Sequence, residues 1–369
     1  MSQTEIETNC QKDWSLGHIL SGQNGIHLTT DDVTLVPSLG KLESRSDAEL
    51  GGFIYSSPMD TVTGEALTDS IVEQGHYAVV CRFLPEEWFE SFTKHHGNEN
   101  VFFAIGSKKK DTEMLLAAIG LGIEEELQSL ASVSINIDVA HGDTHHLHKL
   151  YKWYSTQPFV KQLMSGSICT PGAAIRCVAN GCTHIRVGIG PGSACTTRMK
   201  TGCGVPQLSA VYQIHQGLIA AGLRGKVKLI ADGGVRNPGD AVKYMAAGAD
   251  GIMLGRRLSE CPESCGWVNT REHWWQKRTL SKSYRGQASA QFQKERLGKT
   301  PQCAEGASGP TIYPGAPLQS VINEFEGGVR SALSYLGLES INDLGPENVK
   351  FLRVTPSAIV EGSPHGTQQ

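Results

Sequence analysis

Positive charge is nowhere concentrated in this sequence. Lys and Arg number 33 against 37 Asp and Glu, the formal net charge is -4, and no basic block is long enough to cover a nucleic-acid backbone. Nucleic acid is therefore not expected as a partner, and any phosphate must be held locally and mainly by backbone. No apolar run reaches the roughly 18 residues that a membrane span requires, so no membrane partner is expected either. The N-terminus, M-S-Q-T-E-I-E-T, lacks a basic stretch followed by an apolar core, and the chain reads as cytoplasmic. The 10 cysteines have no repeated spacing, which favours free thiols over a disulfide framework. Cys261 and Cys265 form the one close pair, without the second pair or neighbouring histidine that a zinc site needs.

What the sequence does have is glycine in telling places. The run G-I-G-P-G-S-A-C-T-T-R-M-K-T-G-C-G-V-P-Q, from Gly188 to Gln207, sets Cys195 inside a glycine-rich turn. Gly188, Gly190 and Gly192 allow a backbone that wraps a ligand or points carbonyls at a cation. Thr196 and Thr197 put hydroxyls beside the thiol. A cysteine that attacks a carbon between ring nitrogens needs access, a route to the thiolate and groups that guide protons. Cys195 is the candidate nucleophile; the alternative is a tight loop around a buried, inert cysteine.

Short apolar segments recur down the chain. They are Phe53 to Ser56, Ala78 to Cys81, Val101 to Ile105, Val133 to Val139, Val160 to Met164, His184 to Gly188, Val227 to Ala231 and Gly251 to Leu254. Amphipathic stretches lie between them, among them Glu65 to Gln74, Thr112 to Ile119, Gly172 to Ala179, Pro206 to Ala221 and Asp240 to Ala247, opened by Pro, Asp or Thr and closed by Gly. Eight strands with crossover helices predict an α/β fold, a (β/α)₈ TIM barrel in a single domain, with residues 1–24 as an N-terminal extension. Chemistry is then expected in the loops after the strands: Ser57 to Thr61, Asp138 to Gly142, Gly190 to Thr197, Asp232 to Gly234, and Gly255 with Arg256. The last two loops have the glycine content of a phosphate site, as do many ordinary turns. Residues 259–316 are too polar and irregular for a second barrel and read as an excursion, a disordered insert or a flap over the site. Trp267, Trp274 and Trp275 are expected to pack it, and a helix from Leu318 to Gly337 to rejoin the body.

These residues carry a resemblance. The cysteine run with P-Q-L-S-A-V is similar to the cysteine loop of the IMP dehydrogenase and GMP reductase family. L-T-T-D-D-V-T-L-V-P, S-S-P-M-D-T-V-T, I-D-V-A-H-G, A-D-G-G-V-R-N-P-G-D, A-A-G-A-D-G-I-M-L-G and Y-R-G resemble further family segments, in the family order, from about Gly25 to His365. The resemblance implies a (β/α)₈ barrel, a homotetramer, a purine nucleotide and a nicotinamide cofactor. Cys195 would attack the purine C2, with Thr197 assisting proton movement. Ser57 and Met59 would line the nucleotide pocket, Asp232 would bind ribose hydroxyls, Gly234, Gly255 and Tyr284 would hold the phosphate with Gly286 beside them, and Glu305 would meet the base edge. Asp138, Ala140, His141 and Gly142 would face the nicotinamide ribose. Carbonyls of Gly190, Gly192 and Cys195 would hold potassium, as in the dehydrogenase branch.

The branches share the covalent intermediate and part afterwards. The dehydrogenase passes hydride to NAD and hydrolyses the adduct with an Arg-Tyr pair on a flap; the reductase expels ammonia from GMP and takes hydride from NADPH with a threonine–glutamate pair. Here Cys81 and Val101 leave no room for a tandem regulatory insert, the excursion from Gly286 to Glu305 has no Arg-Tyr, and M-K-T-G and A-S-A-Q-F-Q-K resemble reductases. A GMP-reductase-like, NADPH-dependent oxidoreductase is the expectation. The alternatives are an IMP dehydrogenase with a rebuilt flap and a catalytically silent purine-nucleotide-binding protein. Three positions depart from the pattern. Ala290 or Gln291 stands where the reductase has glutamate, leaving Gln291 and Glu295 as the catalytic candidates. Arg256 replaces a small residue beside the phosphate loop, as a candidate substrate contact. The tail V-T-P-S-A-I-V-E-G-S-P-H-G is closer to a dehydrogenase's. The absence of a Gly-x-Gly-x-x-Gly turn leaves NADH or NADPH open.

Overall fold

The computed structural model describes residues 26–83, 95, 97–118, 132–273 and 276–362. The expected N-terminal extension, Trp274 and Trp275 lie outside these residues. β1 (Val33–Leu35) pairs antiparallel with β13 (Phe351–Arg353), while eight strands form one parallel sheet. These are β2 (Ile54–Ser56), β3 (Ala78–Val80), β4 (Val101–Ile105), β5 (Val133–Ile137), β6 (Val160–Ile168), β7 (His184–Val187), β8 (Lys228–Asp232) and β9 (Gly251–Leu254), in the order β2-β9-β8-β7-β6-β5-β4-β3. Tyr77 closes the ring: its N–H donates to Ile54 O and its carbonyl accepts from Ser56 N, both at 2.9 Å. The result is a (β/α)₈ barrel.

The strands read as near-continuous apolar runs because both faces are covered. All five residues of β4, V-F-F-A-I, are buried. Tyr55, Val79, Phe102, Met164, Ile230 and Met253, one from each of six strands, form a separate cluster that packs the inside of the barrel. The crossover helices start where small polar caps meet proline. Thr170 accepts from Ala173 N before Pro171–Ala179, and Asn237 accepts from Asp240 N at 3.0 Å before Pro238–Ala246. Gln207–Ala220 buries Leu208, Ile214 and Leu218 on its barrel side, each contributing about 1.5–3 kcal/mol relative to exposure.

Two elements depart from the expectation. β6 runs on to Ile168, four residues past Met164, because the S-G-S that reads as a loop is buried between its neighbours. The excursion forms an antiparallel sheet of β10 (Val268–His273), β11 (Gln276–Arg285) and β12 (Ser308–Ile312), with the helix Ala290–Leu297 between the last two strands. Its signal is the alternating burial from Ser281 to Tyr284, where Lys282 and Tyr284 are buried and Ser281 and Ser283 half-buried, before Arg285 turns inward as well. Polar residues on the open face hide that signal in the sequence.

His184 sits at the N-terminal end of β7, its ring 4.9 Å from that of Phe102 and Nδ1 3.0 Å from Thr183 Oγ1. Burial, helped by Lys228, lowers its pKa from 6.5 to about 4. Burial does the same to His76, outweighing Glu326 at 3.4 Å. Below pH 6.5 the unfolded chain binds protons that the folded one refuses. Each histidine therefore stabilises the fold above pH 6.5, and that contribution falls by about 1.4 kcal/mol per pH unit as pH drops toward 4. Denaturant unfolding at pH 7, 6 and 5 should show this slope, with a His184→Gln variant losing one histidine's share of it.

Candidate active site

The C-terminal ends of the barrel strands open onto one mouth, as the fold requires. After β7 the chain turns through Gly188, with φ +149°, and Gly190, with φ +93°, positions that a Cβ would strain. Gly192 O accepts from Cys195 N at 2.9 Å, which ends the turn and presents the thiol. The Cys195 Sγ lies half-buried, 3.2 Å from Thr197 Oγ1 at the start of the helix Thr197–Thr201. Beneath the turn, Arg198 donates to Ile189 O at 3.3 Å and to Val205 O.

The excursion locks this turn in place. Ala307 N donates to Ala194 O and Thr196 N to Glu305 O, both at 2.8 Å, so residues 194–196 and 305–307 run as a two-stranded ladder centred on Cys195 and Gly306. Gly286 N donates to Ala307 O at 3.0 Å, and Ser289 bridges Gly306 from the other side. Glu305 is thus held by its backbone beside the cysteine, with its side chain half-buried.

Four expected nucleotide-pocket residues meet at Gly255. A Cβ built there would stand 3.2 Å from Tyr284 Oη, 3.5 Å from Met59 Sδ and 3.6 Å from Ser57 Cβ. Tyr284 Oη is 3.1 Å from Ser193 Oγ of the cysteine turn, and burial raises its pKa, so it stays a neutral donor. Gly234, with φ +78°, faces Pro191 of the same turn. Arg256 opens the short helix Arg256–Ser259; its side chain is 54% exposed and 3.7 Å from Glu260.

Asp232 and Asp138, at the ends of β8 and β5, share one cation. The buried Arg186 of β7 donates to Asp232 at 3.2 Å and to Asp138 at 3.0 Å, with Ser167 and Asn136 completing its shell. Burial pushes the Asp232 pKa up while Arg186 pulls it down. The other Asp138 oxygen is buried without a hydrogen bond and faces Arg82 Nε, also unpaired, at 3.8 Å. That gap fits a hydroxyl able to donate to one and accept from the other. Ala140 and His141 are exposed beside it; Gly142 is buried, its N–H on Ser167 O and its carbonyl on Tyr151.

Gln291 and Glu295 stand apart from the thiol. They lie one turn apart on the exposed face of Ala290–Leu297, with Gln291 Nε2 3.1 Å from Glu295 Oε1, and among the described residues neither hydrogen bonds to Cys195 or Thr197. Glu295 pairs with Arg285, which holds its carboxyl below the usual range. Arg285 is itself buried and forks onto Asp60 at 2.6 and 3.2 Å, under the ring of Trp267.

Sequence reasoning passed over Arg186 and Arg82, and gave Asp60 and Arg285 no role of their own although each lies in a shortlisted loop or motif. A lone arginine inside the apolar strand H-I-R-V was a visible signal, since a buried charge demands partners. Gly306 was missed too: a Cβ there would fall 2.7 Å from Ser289 N. Gly306→Ala should keep the fold yet shift the ladder, lowering kcat/KM by about 10²-fold, as misplacement of this size does; steady-state kinetics beside circular dichroism checks it.

Residues 26–365 match the IMP dehydrogenase / GMP reductase domain. Inosine-5'-monophosphate dehydrogenase of Borreliella burgdorferi is 29% identical, over 92% of this chain and 96% of its own length. GMP reductase 2 of Homo sapiens is 31% identical, over 90% of this chain and 95% of its own. Inosine-5'-monophosphate dehydrogenase of Mycobacterium tuberculosis is 32% identical over 71% of this chain, which spans about half (51%) of that protein.

Proposed function

The chain belongs to the IMP dehydrogenase / GMP reductase family of purine-nucleotide oxidoreductases, and on that premise we propose that it is an NADPH-dependent reductase converting GMP to IMP and ammonia. The observation that carries the chemistry is the Cys195 thiol, 3.2 Å from the Thr197 hydroxyl inside the mouth. The thiolate adds to the purine C2. The C2 amino group, once protonated, leaves as ammonia with its bonding pair, giving a thioimidate. A nicotinamide held beside Asp138 and Gly142 would supply the hydride that C2 accepts, and the Cys195 thiolate departs as the C–S bond breaks.

The remaining residues bind and orient. Tyr284, Ser193, Ser57 and the amides of Gly234 and Gly255 surround the phosphate, with Gly286 beside them and Met59 against the nucleotide, and the weakly held Arg256 adds a cation. Asp232 takes the ribose hydroxyls and Glu305 the base edge. Asp138, with its free oxygen, receives a nicotinamide-ribose hydroxyl, next to Ala140, His141 and Gly142. The carbonyls of Gly190, Gly192 and Cys195 are neutral oxygens of the kind that suits potassium. For the proton, Glu295 must exchange Arg285 for the site, or water passing it through the Thr197 hydroxyl must supply it while Gln291 holds the leaving amino group.

Dehydrogenation of IMP with NAD is the second reading. The Borreliella dehydrogenase favours it, because this chain covers 96% of that protein's length. A missing insert between the second and third barrel strands therefore does not separate the branches, and the argument for the reductase rests on the 286–305 segment, which lacks an Arg-Tyr pair. A 340 nm assay with potassium decides: the proposal expects NADPH consumption with GMP, abolished by Cys195→Ala. NADH formation with IMP would transfer the chain to the second reading, and silence with both pairs alongside nucleotide binding would leave a binding protein.

A further inference from the structure

Lys282 is 2% exposed and ends in a cage. Its ammonium donates to Cys261 O at 2.8 Å, Pro262 O at 3.0 Å, Ser264 O at 2.6 Å and Ser264 Oγ at 2.8 Å, and lies 5.2 Å from the centre of the Tyr313 ring. No carboxylate bonds to it among the described residues. Burial pushes its pKa down, opposed through space by Cys265, Cys261 and Glu263, and the oxygens that bond the ammonium are all neutral dipoles. The carbonyls come from the turn that follows Arg256–Ser259, which Ser264 N closes by donating to Cys261 O at 3.2 Å. Neutral oxygens at 2.6–3.0 Å form the donor set of a monovalent cation. Here the chain supplies that cation itself.

The cage bears on the phosphate pocket through two short paths. Lys282 and Tyr284 are two apart on β11, so their side chains leave the same face. Tyr284 lies against Gly255 at the beginning of Arg256–Ser259, while the cage lies just past its end. β11 is thus riveted to both ends of one short helix. The loop fits closely: a Cβ on Gly266 would fall 2.7 Å from Ser283 O.

We infer that Lys282 is a positioning residue for the nucleotide phosphate, acting as a tethered monovalent cation in the 261–264 turn that sets the Tyr284 hydroxyl against Gly255. The phosphate part rests on the nucleotide reading given above; the cage part does not. Lys282→Ala leaves a cavity for a free cation, and methylammonium reproduces the lost end of the side chain.

In tetramethylammonium chloride, Lys282→Ala should bind GMP and IMP about 10- to 100-fold more weakly than the parent, the loss expected for charge-assisted hydrogen bonds. KM should rise by a similar factor with kcat little changed. Methylammonium chloride should restore affinity and raise the melting temperature of the variant but not of the parent. Lys282→Met, whose side chain fills the cavity, should not respond. If Lys282→Ala folds only with the amine, exchange into tetramethylammonium reads the same dependence as unfolding. Unaltered nucleotide affinity in a folded Lys282→Ala would overturn the positioning role, and identical melting in the two salts would overturn the cage. Should the parent bind neither nucleotide, the nucleotide reading fails, and the melting comparison still decides the cage.

Discussion

Two backbone hydrogen bonds, Ala307 N to Ala194 O and Thr196 N to Glu305 O, place the candidate nucleophile Cys195. Without them the glycine turn after β7 has conformational freedom and no fixed aim. With them the thiol is held by the same segment that carries Glu305, and that segment is tied to Gly286, beside Tyr284. The excursion is therefore a wall of the site, made of main-chain contacts that tolerate sequence change in every side chain except Gly306, where the strands approach too closely for a Cβ. A segment held in this way stays beside Cys195 whichever side chains its other positions carry.

A second constraint divides the mouth. Arg186 stands between Asp138 and Asp232, one cation for two carboxylates. The residues proposed to hold the nucleotide lie on the side of β7, β8, β9 and β2, while Asp138, Arg82 and Gly142 follow β5, β3 and β5. Removing the arginine would leave two buried carboxylates repelling each other, whereas its presence leaves one Asp138 oxygen free for a hydroxyl. The arrangement suits two ligands meeting near Cys195, one on each side of a shared charge.

The barrel was legible because its strands are short apolar runs separated by helices with proline starts and glycine stops. Each of the eight was expected within a few residues, and β6 was underestimated only because Ser165 and Ser167 look like loop residues until both faces are covered. The cysteine turn and the glycine loops were legible for the same reason: glycine at close approaches leaves a mark in the sequence. The ion pairs were not. Arg285 and Asp60 are separated by most of the chain and meet only because β11 docks on the loop after β2. Glu295 illustrates the limit, since its spacing suggested a substitute acid and the fold turns it toward Arg285.

Covalent attachment at Cys195 is the claim on which both enzymatic readings depend. Acid-quenched protein incubated with GMP alone, or with IMP and NAD, should be digested and analysed by mass spectrometry. The account predicts a purine-nucleotide adduct on the peptide containing Cys195, formed from GMP with loss of ammonia and absent from Cys195→Ala. An adduct on another cysteine, or bound nucleotide with no adduct under either condition, would contradict it.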